Sequence, residues 1–283
     1  MHITRHGSGG RATVAALASQ VHPVFMLPPL AAAGFGAVLA GEFSLAVAGV
    51  HLAAMFFAVY TAHVKDGYVD FHVRGEDDDH PLTATGCRAA IRGASVAFFA
   101  CVAALWWLVS PGAAALAVPA WLVGYHHAPQ LDTNPVTTTT GYPFGIAVAL
   151  VGGYYAQAQQ FALQPLAFAS VLLVLLSGVK VVDDAQDYDY DRSIDKRSVA
   201  VVLGKPGARR LAYGLMTAAM AGVVAFAALA VFPPSAVAAV AAFAVVAWFA
   251  ARAEPTVATM LLVRGCYVFL AVLVAAVWFR PLA

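Results

Sequence analysis

Charge is scarce in this sequence. Asp, Glu, Lys and Arg together make up 11% of its 283 residues, against about 25% in an ordinary soluble domain. Apolar residues make up 61%, and the mean hydropathy is +0.78. A soluble globular domain is thereby excluded, and the composition is that of a membrane protein. The formal net charge of +1 gives no basis for nucleic-acid binding. Cysteine is also sparse: Cys87, Cys101 and Cys266 lie far apart inside apolar stretches, so neither a disulfide framework nor a cysteine-based metal motif can be assembled. A cleaved leader is not apparent. The first apolar segment, 12–40, is too long for a signal-peptide core and carries no clear cleavage site, so it reads as a retained transmembrane helix.

Long apolar runs fill most of the chain. A helix needs about 20 apolar residues to cross a bilayer core. Nine segments approximate that length: 12–40, 44–64, 88–109, 112–128, 142–161, 163–182, 208–231, 235–252 and 256–279. Turn residues mark several breaks, among them Ser110-Pro111-Gly112, Gln164-Pro165, Phe232-Pro233-Pro234-Ser235 and Glu254-Pro255. With nine spans, fourteen of the sixteen Lys and Arg residues fall on one side of the membrane. By the positive-inside rule that side is cytoplasmic. The expectation is a multi-pass plasma-membrane protein with a cytoplasmic N-terminus, an external C-terminus and one all-α domain over 1–283.

The few acids are concentrated. Asp66, Asp70, Glu76, Asp77, Asp78 and Asp79 lie in or beside the loop after the second span. Asp183, Asp184, Asp187, Asp189, Asp191 and Asp195 follow the sixth. Twelve of fifteen acids therefore occupy two acidic loops, about 65–87 and 183–207, on the predicted cytoplasmic side. If the sixth span continues as a helix past Val182, Asp184, Asp187, Asp191 and Asp195 share one face, with Asp183 at its edge and Asp189 pointing away. Asp66 and Asp70 share a face in the same way. Carboxylates about 5 Å apart repel by about 3 kcal/mol at an effective dielectric near 20, so such a stripe calls for cations. An oxygen-only ligand set suits Mg²⁺, or Mn²⁺, rather than zinc. Mg²⁺ completes its shell with water and substrate phosphate, and Arg74, Lys196 and Arg197 stand close by for phosphate charge. Asp187-x-Asp189-x-Asp191 opens like a calcium loop, but Arg192 and Ser198 occupy the positions that require glycine and glutamate.

These residues resemble the UbiA superfamily of intramembrane prenyltransferases. Asp184-x-x-Asp187-x-x-x-Asp191, followed by RSIDKRSVAVVLG, matches the family's second acidic motif and its tail. Asp66-x-x-x-Asp70 resembles the first motif, with Asp66 where asparagine is usual. His80-Pro81-Leu82 resembles the family's Arg-Pro-Leu stretch, with histidine for arginine. Residues 124–157, GYHHAPQLDTNPVTTTTGYPFGIAVALVGGYYAQ, resemble the menaquinone-type branch, which attaches prenyl chains to dihydroxynaphthoate. The basic residue that many members place in this loop is missing, and His126 or His127 is a candidate replacement.

The resemblance implies nine helices around a central cavity with both acidic motifs at its cytoplasmic mouth. Mg²⁺ held by Asp66, Asp70, Asp183, Asp184, Asp187 and Asp191 would bind the diphosphate of a polyprenyl donor, assisted by Arg74, Lys196 and Arg197. An aromatic acceptor, or alternatively a lipid or carotenoid one, would capture the allylic cation. Tyr68 and Tyr188, inside the motifs, would line the site. Two other readings compete. A CDP-alcohol phosphotransferase needs an Ala-Arg after Asp66-Gly67 that is missing. A divalent-cation transporter would carry its acids within the spans, whereas these lie at helix ends.

Overall fold

The structure, a computed structural model, describes residues 3–194 and 196–281, so Asp195 lies outside the described residues. Among these residues there is no strand, only an isolated bridge between Thr4 and Leu82. The helices are α1 (Gly10–Ala18), α2 (Pro23–Leu39), α3 (Leu45–Val69), α4 (Ala84–Leu108), α5 (Pro111–His126), α6 (Pro135–Ala158), α7 (Leu163–Asp184), α8 (Tyr188–Ser193), α9 (Val199–Ala228), α10 (Val237–Ala250) and α11 (Pro255–Phe279). Every apolar segment picked out in the sequence is largely helical. Among the described residues, five helical stretches suffice by length and hydropathy to cross a membrane (Leu45–Arg74, α4, α7, α9 and α11), and six if α1 and α2 form one broken span. The chain is a multi-pass membrane protein.

Helix ends follow local chemistry. Ser44, Thr83, Ser110 and Ser198 each accept a backbone N–H of the first turn, capping α3, α4, α5 and α9. Pro23, Pro111 and Pro255 occupy first helical positions, where no N–H is needed. The segment expected as one helix over 12–40 is instead two, bent by 67°. Pro23 is the cause: it forces His22 into extended backbone, φ −106° and ψ 94°. In α9, Gly204 has φ +70° and ψ 159°, which separates a one-turn lead-in from the main helix.

The chain divides into two compact units. The first comprises Met1–Asp132 and Phe144–Phe161, the second Thr133–Pro143 and Ala162–Ala283. In the first, α3 packs on α2, α4 and α5 around Ala54, Met55, Ala58, Phe98 and Leu105. Small residues set the closest approaches: a methyl at Gly36 or Gly153 would collide with the Leu150 or Ala33 carbonyl. In the second, α7 packs on α9 and α11, α10 on α11, and α8 on α9, with Phe168 stacked on Phe232 at 4.2 Å.

Candidate functional site

In the first unit the acidic motif ends α3. Asp66 and Asp70 stand one turn apart and line a cavity of about 500 Å³. Asp77, His63, His80 and, from the α1–α2 break, Gln20 and His22 complete its polar wall. A helix C-terminus already carries partial negative charge, so carboxylates there need a cation. In this structure Arg74 supplies it. Its guanidinium lies 3.6 Å from Asp70, 3.6 Å from Glu76 and 2.7 Å from Asp132. The sequence reading assigned Arg74 to substrate phosphate; the structure shows it engaged by three carboxylates. Asp132, 6% exposed, had been overlooked. It is the one acid of the 124–157 stretch, and its isolation among apolar and polar neutral residues was the available clue.

The loop after Asp70 is held by the N-terminus. Thr83 N donates to Ile3 O (2.9 Å), Arg5 N to Pro81 O (2.9 Å), and Asp79 pairs with Arg5 (2.7 Å) and His6 (2.8 Å). These bonds lower the pKa of Asp79, the one from His6 most of all. Asp79 is thus a tether, exposed and away from the cavity lining, whereas Asp77 lines it. Tyr68 likewise does not line the cavity; it packs on the cluster of Val64, Leu82 and Cys87 and against His72.

His80, where the family resemblance expects arginine, is buried. Its Nδ1 lies 3.1 Å from the Leu82 N–H, and the Leu82 carbonyl is met by His72 Nε2 at 3.1 Å. The same Nδ1 also lies 3.2 Å from the Leu82 carbonyl, which leaves the other ring nitrogen, Nε2. That atom has no partner among the described residues and faces Gly67, where an added methyl would stand 2.7 Å away. Burial lowers the pKa of His80, favouring the neutral imidazole. Ligand atoms of His72, His80 and Cys87 lie within 4.8 Å of one another. Contacts to the Leu82 backbone already occupy the two imidazole nitrogens that converge there, so the cluster reads as packing.

In the second unit the acidic motif ends α7. The helix expected to run on past Val182 through Asp187 and Asp191 instead stops at Asp184, and Ala185 and Gln186 form a turn. Asp187 then occupies the N-cap position of the short helix α8, with φ −88° and ψ 11° and no side-chain capping bond. The acids are gathered by a turn rather than along one helix face. Asp184 and Asp191 are 3% and 1% exposed. Asp184 Oδ2 and both Asp191 oxygens have no hydrogen-bond partner among the described residues. Asp187 is open on one side, but desolvation of the remainder, with repulsion from Asp183 and Asp191, raises its pKa. Lys180 and Lys196 oppose that rise.

Two lysines balance this cluster. Lys196 approaches Asp191 Oδ1 at 3.4 Å. Lys180, which the sequence reading did not include in the site, lies 2.7 Å from Asp184 Oδ1 and 3.0 Å from Asp183 Oδ2. A lysine inside the apolar run LLVLLSGVKVV was the clue to it, since membrane-embedded charges need partners. Asp189 is exposed and meets Lys205 at 3.0 Å. Lys205 also lies 5.2 Å over the Tyr188 ring. Arg197 is exposed. The donor set fits a hard divalent cation: three buried carboxylate oxygens lack a hydrogen bond, and no sulfur or imidazole is adjacent in the motif.

The model of the UbiA prenyltransferase family matches residues 26–255, across parts of both units. Several solved structures share the fold. A digeranylgeranylglyceryl phosphate synthase aligns with TM-score 0.71 at 12% identity, over 94% of this chain and 96% of that one. A UbiA homologue from Aeropyrum pernix K1 aligns with TM-score 0.64 at 18% identity, over 90% and 97%. A UbiA homologue from Archaeoglobus fulgidus, bound to GPP and Mg²⁺, aligns with TM-score 0.65 at 14% identity, over 94% and 99%. At these identities the likeness is one of fold. Among curated proteins, none matches the sequence significantly.

Proposed function

The chain belongs to the UbiA prenyltransferase family, and on that premise we propose that it moves a polyprenyl group from a prenyl diphosphate to an acceptor within the membrane, releasing diphosphate. The observation that supports this most is the second acidic cluster. Asp184 and Asp191 are buried with unpartnered oxygens at the end of an apolar helix. A polyprenyl diphosphate has the same layout, a charged head on a hydrocarbon tail. A UbiA homologue of the same fold is bound to GPP and Mg²⁺.

The assigned ligands are Asp66 and Asp70 in the first unit, and Asp184, Asp187 and Asp191, with Asp183 in support, in the second. Mg²⁺, or Mn²⁺, bound there supplies positive charge to the diphosphate oxygens as the carbon–oxygen bond breaks. The carboxylates fix that charge at the helix ends. Lys196, Arg197 and Arg74 are assigned to the remaining phosphate charge; in this structure Arg74 is held by Asp70, Glu76 and Asp132. Tyr188 offers a ring face to the developing cation, and the apolar spans exclude water that would quench it. The acceptor is read as an aromatic ring of the dihydroxynaphthoate kind, from the likeness of 124–157 to that branch. The arrangement assigned is nine membrane crossings in the plasma membrane with the acidic loops cytoplasmic.

The test is Mg²⁺-dependent release of diphosphate from geranylgeranyl diphosphate by the purified protein, with a panel of aromatic and lipid acceptors. Turnover with an aromatic acceptor supports the full reading. Turnover with only a lipid acceptor moves the acceptor class and keeps the reaction. Failure to bind prenyl diphosphate in the presence of Mg²⁺ overturns the reading.

A further inference from the structure

We propose that Lys180 is a resident counter-cation that a metal ion must displace, so that metal and diphosphate load together rather than one after the other. The inference rests on the reading of this cluster as a metal–diphosphate site. Lys180 lies one helical turn before Asp184, in a helix otherwise free of charge until Asp183. Its ammonium lies 2.7 Å from Asp184 Oδ1 and 3.0 Å from Asp183 Oδ2. Asp184 is buried, and its other oxygen has no hydrogen bond among the described residues. The lysine therefore occupies one oxygen of the carboxylate and leaves the other, buried one without a hydrogen bond among the described residues. Lys196 neutralises a different member of the cluster, Asp191.

An ammonium is a compact point charge that only donates. It cannot share a carboxylate with a divalent ion at close range without strong like-charge repulsion. A metal arriving alone must push Lys180 off Asp184 with no new anion to receive it. A metal arriving with diphosphate brings that anion. Linkage then requires that each ligand tighten the other, and couplings of this kind run from about 5- to 150-fold. Replacing Lys180 by a neutral side chain removes the competitor, so the metal alone should bind more tightly and the coupling should shrink.

The experiment measures Mn²⁺ binding to the full-length protein in detergent by electron paramagnetic resonance. It is run with and without inorganic pyrophosphate, correcting for the complex the two form in solution. Wild type should bind Mn²⁺ weakly alone and about tenfold or more tighter with pyrophosphate. Lys180→Met should bind Mn²⁺ alone on the order of tenfold tighter than wild type, with most of the coupling lost. Lys180→Arg should keep the wild-type pattern, and Lys180→Gln repeats the test if the methionine variant does not fold. Unchanged or weaker Mn²⁺ affinity in a folded neutral variant overturns the proposal, since a purely structural ion pair would lower stability without tightening metal. No Mn²⁺ binding by wild type, with or without pyrophosphate, overturns the metal–diphosphate reading itself and is seen before any variant is made.

Discussion

Arg74 and Asp132 are joined at 2.7 Å, and the same guanidinium stands 3.6 Å from Asp70. One arginine thus links the end of α3 to the residue just past α5 and its following turn. The charge balance of the first acidic motif depends on a side chain outside it.

Asp132→Ala should destabilise the protein measurably. Removing one partner of a buried pair costs about 3–5 kcal/mol. Arg74 keeps Asp70 and Glu76, so the loss here should fall near or below the lower end. Chemical unfolding in detergent, with Arg74→Ala and the double variant completing a cycle, measures it. Additive effects of the two single changes would show that the pair is not coupled.

Gly67→Ala should fail through His80. The new methyl would stand 2.7 Å from Nε2, which α3 or the imidazole must yield to. Overpacking of this sort costs about 1–3 kcal/mol. His80→Ala in the same chain should restore most of the lost stability, as a thermal melt would report. No rescue would place the strain elsewhere.

Substitutions in the second cluster should separate by position. Asp184→Asn and Asp187→Asn, and Asp70→Asn in the first, should each lower kcat/KM on the order of 10³-fold, because several kcal/mol of charge stabilisation goes with the metal. Asp189→Asn should stay within about threefold, as expected of an exposed surface group. Wild-type turnover in two of the first three variants would sink the metal assignment.

Metal affinity should rise with pH through Asp187. Its pKa is raised in the folded protein, so it holds its proton over a window that starts at the ordinary carboxylate value and extends upward. Metal needs the ionised form, so Mn²⁺ affinity should climb across that window. The sign for stability is opposite: the contribution of protonated Asp187 is fully present below the unfolded value and lost as pH rises through the folded one. Asp187→Asn should flatten the stability profile in that window. A Mn²⁺ titration series against pH, with a parallel unfolding series, checks both signs.

The N-terminal tether should govern the loop after Asp70. Truncation through His6 removes both partners of Asp79 and the backbone bonds to Pro81 and Thr83. Amide exchange across 75–83 should then quicken while that of α4 beyond its first turn stays unchanged.

The sequence by itself determined the helices, because apolar length and turn residues act locally, and it showed where the acids gather, because carboxylates are so few and so clustered. Asp184, Asp187 and Asp191 were legible as a motif from their spacing and the family resemblance. Their helical register was not, because nothing local announces that α7 stops at Asp184. Pro23 was visible, yet the 67° break it causes was missed, since hydropathy does not register backbone direction. Only the tertiary structure decided which cation answers which acid. Lys180 could be matched to its own motif by helical spacing once the charge was noticed, but Asp132 and Arg74 lie far apart in sequence, as do Arg5 and Asp79, and only the fold brings each pair together. Ion pairs between distant residues have no periodicity to read; they exist because packing brings opposite charges together where water is scarce.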